Sequence, residues 1–345
     1  MSATTQSPTA SESRTPSKAA RLLGDRRLPV GVTALLFLVM YGVGLGRYQF
    51  YGFAEPQVFL NLFIDNGYLL VAAVGVTFVI LSGGIDLSVG SMIGFTTMFT
   101  AWLVERQGLP IVVVIPMALA VGAFGGFLMG YVIHNFEIQP FIVTLAGLFL
   151  FRGLCLVISK ESISIGDASV SSMAQAQVSL GMGFVSIGAI VSLVVLAVAF
   201  YVLHYTRFGR RVYAIGGNEQ SAMLMGLPQG GTKIAVYTVS GFCSALAGLL
   251  FTLYIQSGDP LHATGMELDA IAAVVIGGTL LTGGSGYVLG TALGVLVYGM
   301  IQTIITFQGT LSSWWTNIVI GGLLFVFIVV QRAISYRGRG KSPAY

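Results

Sequence analysis

The chain has 345 residues, 55% of them hydrophobic and only 9% charged, with a formal net charge of +4. Its mean hydropathy is +0.86. Soluble domains carry about 25% charged residues, so this composition excludes a water-soluble fold and calls for an all-α polytopic protein in a lipid bilayer.

Residues 1–28 are rich in Ser, Thr, Ala and Pro and contain no apolar run, which predicts a disordered cytoplasmic tail rather than a signal peptide. A helical span needs about 20 apolar residues. Ten stretches meet that pattern: 29–46, 58–82, 86–104, 111–133, 140–158, 184–204, 233–256, 267–284, 287–306 and 314–331. Together they make a membrane domain over 29–332, followed by a basic tail, 333–345. Glycines interrupt the eighth and ninth.

Orientation follows from the cations. Arg14, Lys18, Arg21, Arg26 and Arg27 precede the first span, and Arg332, Arg337, Arg339 and Lys341 follow the last. Arg207, Arg210, Arg211 and Lys233 surround one internal loop. Ten spans put all three clusters on one side, the cytoplasm, and leave Trp314 and Trp315 at the outer interface. This distribution reports membrane orientation, and no nucleic-acid partner is expected.

The stretch "GGIDLSVGS" (Gly83–Ser91) places a carboxylate where the second span meets the third. Gly83 and Gly84 end one helix, since glycine accepts the left-handed backbone that stops it. Asp86 caps the next by accepting the N–H of Ser88 or Val89, and the helix dipole lowers the cost of its charge. The plain reading is a structural corner; in a transporter, a broken helix also exposes backbone to an aqueous path and serves in a gate. A gapless repeat follows later in "GGTLLTGGS" (Gly277–Ser285), with Gly83/Gly277, Gly84/Gly278, Ser88/Thr282 and Gly90/Gly284 facing each other.

Two loops are long enough to act. Ser159–Gly183 is polar and suits a cover over the outer mouth. Thr206–Thr232 holds a short helical stretch, Asn218–Leu227, which Asn218 caps and whose positive end suits Glu219. Met223, Leu224, Met225 and Leu227 on that stretch call for a partner, with a lipid surface as the plainer alternative.

Catalytic chemistry is not indicated. No phosphate-binding Gly-x-x-x-x-Gly-Lys-[Ser/Thr] loop occurs, so ATP is not hydrolysed here in that way. His134, His204 and His262 lack ligand spacing, so no metal or other cofactor is expected. Cys155 and Cys243 lie in apolar segments and read as packing residues.

The motifs "VILSGGIDLSVGS", "TLAGLFLFRGL", "TRFGRRVYAIGGNEQSAMLMGL" and "DAIAAVVIGGTLLTGGSG" resemble the permease subunits of bacterial sugar ABC importers of the ribose/arabinose/xylose branch. The resemblance runs from about Val30 to Arg332. "GTLLTGGSGYVLGT" and "SKESISI" look most like one of the two galactofuranose permeases. The resemblance implies a multi-pass subunit of the bacterial inner membrane and a second permease, as a heterodimer or a homodimer. It also implies a cytoplasmic ATP-binding subunit and a periplasmic sugar-binding protein. Gly217, Asn218, Glu219, Ala222, Leu224 and Gly226 match the pattern of its ATPase-coupling helix, from which Ser221 and Met223 depart.

The rival is an ion-coupled secondary sugar transporter, which places ionisable groups near the bilayer middle. Asp65, Asp86, Glu267 and Asp269 fall near predicted span ends, which speaks against it. Polar or aromatic residues on span faces, Gln139, Phe141, Thr144, Gln302 and Asn317, are candidates for the substrate path; packing or interhelical hydrogen bonding accounts for each equally well.

Overall fold

The computed structural model describes residues 28–312 and 314–339, and side chains within 29–312 and 314–329. The expected N-terminal tail, 1–28, lies outside the described residues except for Leu28, and of the expected C-terminal tail residues 340–345 lie outside them.

Ten apolar helices are present among the described residues: α1 (Leu28–Tyr48), α2 (Pro56–Leu81), α3 (Val89–Ala101), α4 (Ile111–Asn135), α5 (Pro140–Ile158), α7 (Ile187–Tyr205), α10 (Gln229–Ile255), α11 (Met266–Ile276), α12 (Val288–Gln308) and α13 (Trp314–Arg339). Three shorter helices join them: α6 (Ala168–Gln175), α8 (Arg207–Gly217) and α9 (Glu219–Leu224). Seven helices, α1, α2, α4, α5, α7, α10 and α12, are long and apolar enough to cross a bilayer by themselves. The apolar part of α13, Trp314–Val329, is shorter. The expected boundaries hold within a few residues for most spans.

Three spans depart from expectation. The one expected over 267–284 is helical only to Ile276, because Gly278, Gly283, Gly284 and Gly286 all adopt positive φ and turn the chain. The one expected from 86 begins at Val89 and finishes as a π-helical stretch, Trp102–Arg106. α13 continues to Arg339, past the expected end at 331.

Helix α2 is the central element, with 83% of its most apolar window buried. Small residues seat it: a Cβ on Gly75 would lie 2.8 Å from the Cys243 Cβ and 3.2 Å from the Ser240 Cα of α10. A second seam joins α4 to α10, where Gly122, Gly126 and Gly130 face Gly241, Tyr237 and Ile234 backbone to backbone. This four-residue spacing of small residues is a standard close-packing device for membrane helices. Cys155 and Cys243 are free and buried, as expected of packing residues.

One end of the bundle holds α8, α9 and both glycine breaks, and is here called the basic end. At the other end, the Tyr48 hydroxyl donates to Gln308 Oε1 at 2.5 Å, tying α1 to α12. There the polar loop after α5 is folded rather than loose. Strand β1 (Ile163–Ser164) pairs with β4 (Ser257–Gly258), and β2 (Gln177–Ser179) with β3 (Phe184–Ser186). Asp167 caps α6, accepting the N–H groups of Ser169 and Val170. Glu105 Oε1 accepts from the N–H of Gly166 and Asp167 at 2.6 and 3.0 Å, fastening the loop to the end of α3.

Candidate functional site

At the first break, the Gly84 N–H reaches back to the Val79 carbonyl at 3.0 Å and the Gly83 N–H to Ile80 at 2.9 Å, with Gly83 at φ 83°. This six-to-one closure is the glycine stop expected of the sequence. The chain does not then stay at the membrane edge. Asp86 Oδ1 accepts from the Ser88 N–H at 2.9 Å and the Ser88 hydroxyl at 2.6 Å, and its Oδ2 accepts from Ser240 at 2.7 Å. Ser240 also faces Gly75, so Asp86 sits level with a point six residues, roughly 9 Å, inside the end of α2. Ser88 is the N-cap of α3, and Asp86 precedes it by two residues. Asp86 therefore supports the helix start as expected, from two residues further out, and it also pins the break to α10. Only 1% of the Asp86 surface is exposed, and three donors make that burial tolerable.

The second break repeats the closure with a shifted register. Here the Thr279 N–H donates to the Val274 carbonyl at 3.2 Å and Gly278, at φ 93°, takes the left-handed position. Gly83 thus corresponds to Gly278 rather than to Gly277, whose φ is −64°. The gapless alignment is therefore one residue out at the turn. The exit is also longer, because α12 does not start until Val288. Thr282 is exposed in this turn, unlike the buried Ser88 that it faces in the alignment.

The two breaks touch. The Gly284 N–H donates to the Leu81 carbonyl at 2.9 Å. A Cβ on Gly283 would stand 2.8 Å from Gly83 Cα, and one on Gly284 2.5 Å from Gly217 Cα. A Cβ on Gly216 would collide with the Leu81 carbonyl and stand 2.7 Å from the Gly284 nitrogen. Three separate chain segments thus meet at a knot of glycine backbone in which Gly216, Gly283 and Gly284 leave no room for a side chain. Tyr213 adds a tie, its hydroxyl donating to the Gly286 carbonyl at 2.9 Å. Burial, with a smaller effect from Tyr287, pushes its phenol up to about 12, so it remains a donor at working pH. Gly90 lies apart from the knot, where its missing side chain makes room for Ala263 and Glu267.

From the knot the chain enters α9. Asn218 caps it as expected, its Oδ1 accepting from the Ser221 N–H at 2.8 Å. Gly226 ends it at φ 71°, with the Leu227 N–H closing onto the Ala222 carbonyl at 3.1 Å. Ala222 is buried, whereas Met223, Leu224 and Met225 are 70%, 89% and 67% exposed. Glu219 pairs with Lys233 at 2.5 Å, and the Gln229 amide donates to the Glu219 carbonyl at 2.7 Å, bracing α9 against α10. The exposed pair itself contributes under about 1 kcal/mol.

The proposed path residues do not converge. Gln139 and Phe141 are exposed at the start of α5, Gln302 lies in the half of α12 away from the glycine breaks, and Asn317 is exposed near the start of α13. Thr144 is fully buried with its hydroxyl donating to the Pro140 carbonyl at 2.8 Å in its own helix.

Sequence reasoning missed Arg152. Its guanidinium donates to the carbonyls of Pro260 and His262 at 2.6 and 2.8 Å, holding the non-helical leg between α10 and α11 against Gly94 of α3. A lone Arg within an apolar stretch was the available signal. Glu267 abuts the second residue of α3, and Asp65 is nine residues, roughly 14 Å, into α2. Glu267 and Asp269 lie in the first turn of α11, at a helix end as expected, whereas Asp65 lies inside its helix.

Residues 58–328 match the family described as "Branched-chain amino acid transport system / permease component". The chain is 47% identical to the inner membrane ABC transporter permease protein YjfF of Escherichia coli strain K12, over 92% of this chain and 96% of the relative. It is 39% identical to the fructose import permease protein FruG of Bifidobacterium longum, over 96% and 98%. Identity to the ribose import permease protein RbsC of Haemophilus influenzae is also 39%, over 82% and 86%. No solved structure matches. A non-enzymatic, multi-pass helical protein of the bacterial inner membrane, with ATP hydrolysis left to a separate subunit, the chain belongs to the permease components of ABC transport systems.

Proposed function

We propose that the chain forms the membrane path of an ATP-driven importer for a neutral monosaccharide, galactofuranose or a related pentose or hexose. Relatives named for fructose and ribose import support the sugar class. The motif resemblance noted above supports the galactofuranose branch and, with it, pairing with a different permease and a periplasmic binding protein. In this reading α9 docks on the cytoplasmic ATP-binding subunit, and the basic end faces the cytoplasm.

One observation carries the coupling role. A short helix presents Met223, Leu224 and Met225 to solvent, and the residues just before it, Gly216 and Gly217, lie in the knot that joins both helix breaks. Docking removes that apolar area from water at about 25 cal/mol per Å². Motion of the ATPase is then passed through backbone contacts to α2, α3 and α12, where the gate lies.

The test is reconstitution of this chain with a second permease, the ATPase and the binding protein in proteoliposomes, followed by uptake of a panel of pentoses and hexofuranoses. ATP-dependent accumulation supports the reading. Uptake driven by a proton or sodium gradient without ATP would refute it. A fully active complex containing two copies of this chain would remove only the heterodimer claim.

A further inference from the structure

We infer that the end of the path opposite the glycine knot contains a sugar station between α2, α10 and the folded outer loop, a site that deepens the importer reading and rests on it. A cavity of about 170 Å³ lies there, lined by Tyr68, Tyr254, Gln177, Ser186 and Gln256 among apolar residues. It falls below the roughly 300–1,000 Å³ of sites for drug-sized ligands, and suits a single monosaccharide ring.

The lining fits one ligand class. The two tyrosine rings lie 5.9 Å apart at an interplanar angle of 45°, a partly open cleft rather than a closed stack. Such rings offer faces to the C–H side of a sugar, and their hydroxyls offer polar edges. Amides and a serine hydroxyl present both donors and acceptors. Next to the lining residue Tyr254, Asp65 Oδ1 accepts from its hydroxyl at a long 3.5 Å, which leaves most of the carboxylate's acceptor capacity for other hydroxyls. No Lys or Arg lines the cavity among the described residues, so a phosphorylated or otherwise anionic sugar has no counter-charge there, and Asp65 repels it.

Membrane physics makes the placement meaningful. Asp65 is exposed on the surface of this chain, roughly 14 Å along α2, and Tyr254 is 52% exposed beside it. A carboxylate at that depth does not face hydrocarbon, so this surface borders water or another chain. The roof of the cavity is fixed rather than floppy: the Gln57 amide donates to the Phe184 carbonyl at 3.2 Å while its oxygen accepts from the Phe184 N–H at 2.9 Å. The outer loop is thereby fastened to the same helix that ends in the glycine knot.

The experiment uses the reconstituted complex with D-ribose, D-fructose and D-galactose as probes, and records sugar transported per ATP hydrolysed. Tyr254→Ala and Asp65→Ala should each lower that ratio at least fivefold while ATPase activity stimulated by the loaded binding protein persists. As a second measurement, Gln256→Cys is reacted with a small membrane-impermeant thiol reagent, the native thiols being buried. At least one of the probes should slow the labelling severalfold, and its phosphate ester should not. An unchanged ratio in both variants, or labelling indifferent to all three sugars even where the variants fail to assemble, overturns the station. Absence of ATP-driven uptake by the wild type would instead overturn the importer reading beneath it.

Discussion

Asp86 shows what a short motif reveals and what it conceals. Its bond to the Ser88 N–H was legible because donor and acceptor lie two residues apart and local geometry fixes them. Its bond to Ser240, 154 residues away, depends on how α10 crosses the break, which no local pattern encodes. The consequence is testable. Asp86→Ala leaves the Ser88 N–H and two hydroxyls without their acceptor and should cost about 2–3 kcal/mol, whereas Asp86→Asn keeps one acceptor and should cost about 1 kcal/mol. Thermal unfolding of the purified protein in detergent measures both. Equal midpoints for Asp86→Ala and wild type would show that the carboxylate does not pin the break.

Among the elements, the long apolar helices and the capped short helix α9 were readable, whereas α6 and the amphipathic α8 were not. A search for runs of about 20 apolar residues finds α5 to the residue. It is blind to α8, whose buried Gly209, Val212 and Ile215 mark one side of an Arg-rich helix. It also extended α11 through a glycine turn, because glycine in a membrane chain signals close packing as readily as a break. The α4 seam is the packing case. A Cβ on Gly126 would overlap the Tyr237 carbonyl, so Gly126→Ala should cost about 1–3 kcal/mol and Gly126→Leu should prevent folding. Yield of monodisperse protein on gel filtration reports this, and a normal yield for Gly126→Leu would contradict the seam. The α9 case is functional. Leu224→Glu, with an open position in this chain, should insert and fold normally yet abolish uptake, because a charge replaces the centre of the docking face. Gly226→Asp should do the same through its left-handed backbone, strained by roughly 1–2 kcal/mol for any residue with a Cβ. Normal uptake by Leu224→Glu would reduce α9 to a helix lying on lipid.

For the whole molecule, ten apolar segments and three basic clusters predict that the basic end faces the cytoplasm, and the proposed function assigns the coupling to the glycine knot. The topology predicts that a cysteine at Gln229 is shielded from an impermeant label in intact cells while one at Ser172 reacts; the reverse pattern would invert the molecule. The repeat indicated that two breaks exist, but their contact with each other and with Gly216 was not legible, since glycine spacing carries no record of which backbones meet. That contact is the central claim, because it links the residues just before α9 to both breaks through backbone. Its most direct test is the ratio of sugar transported to ATP hydrolysed by complexes carrying Gly216→Ala, with Gly231→Ala, a position in open space, as the reference. The account predicts that Gly216→Ala assembles with the ATPase and hydrolyses ATP but transports at least tenfold less sugar per ATP. A Gly216→Ala complex that transports at the reference ratio would contradict it.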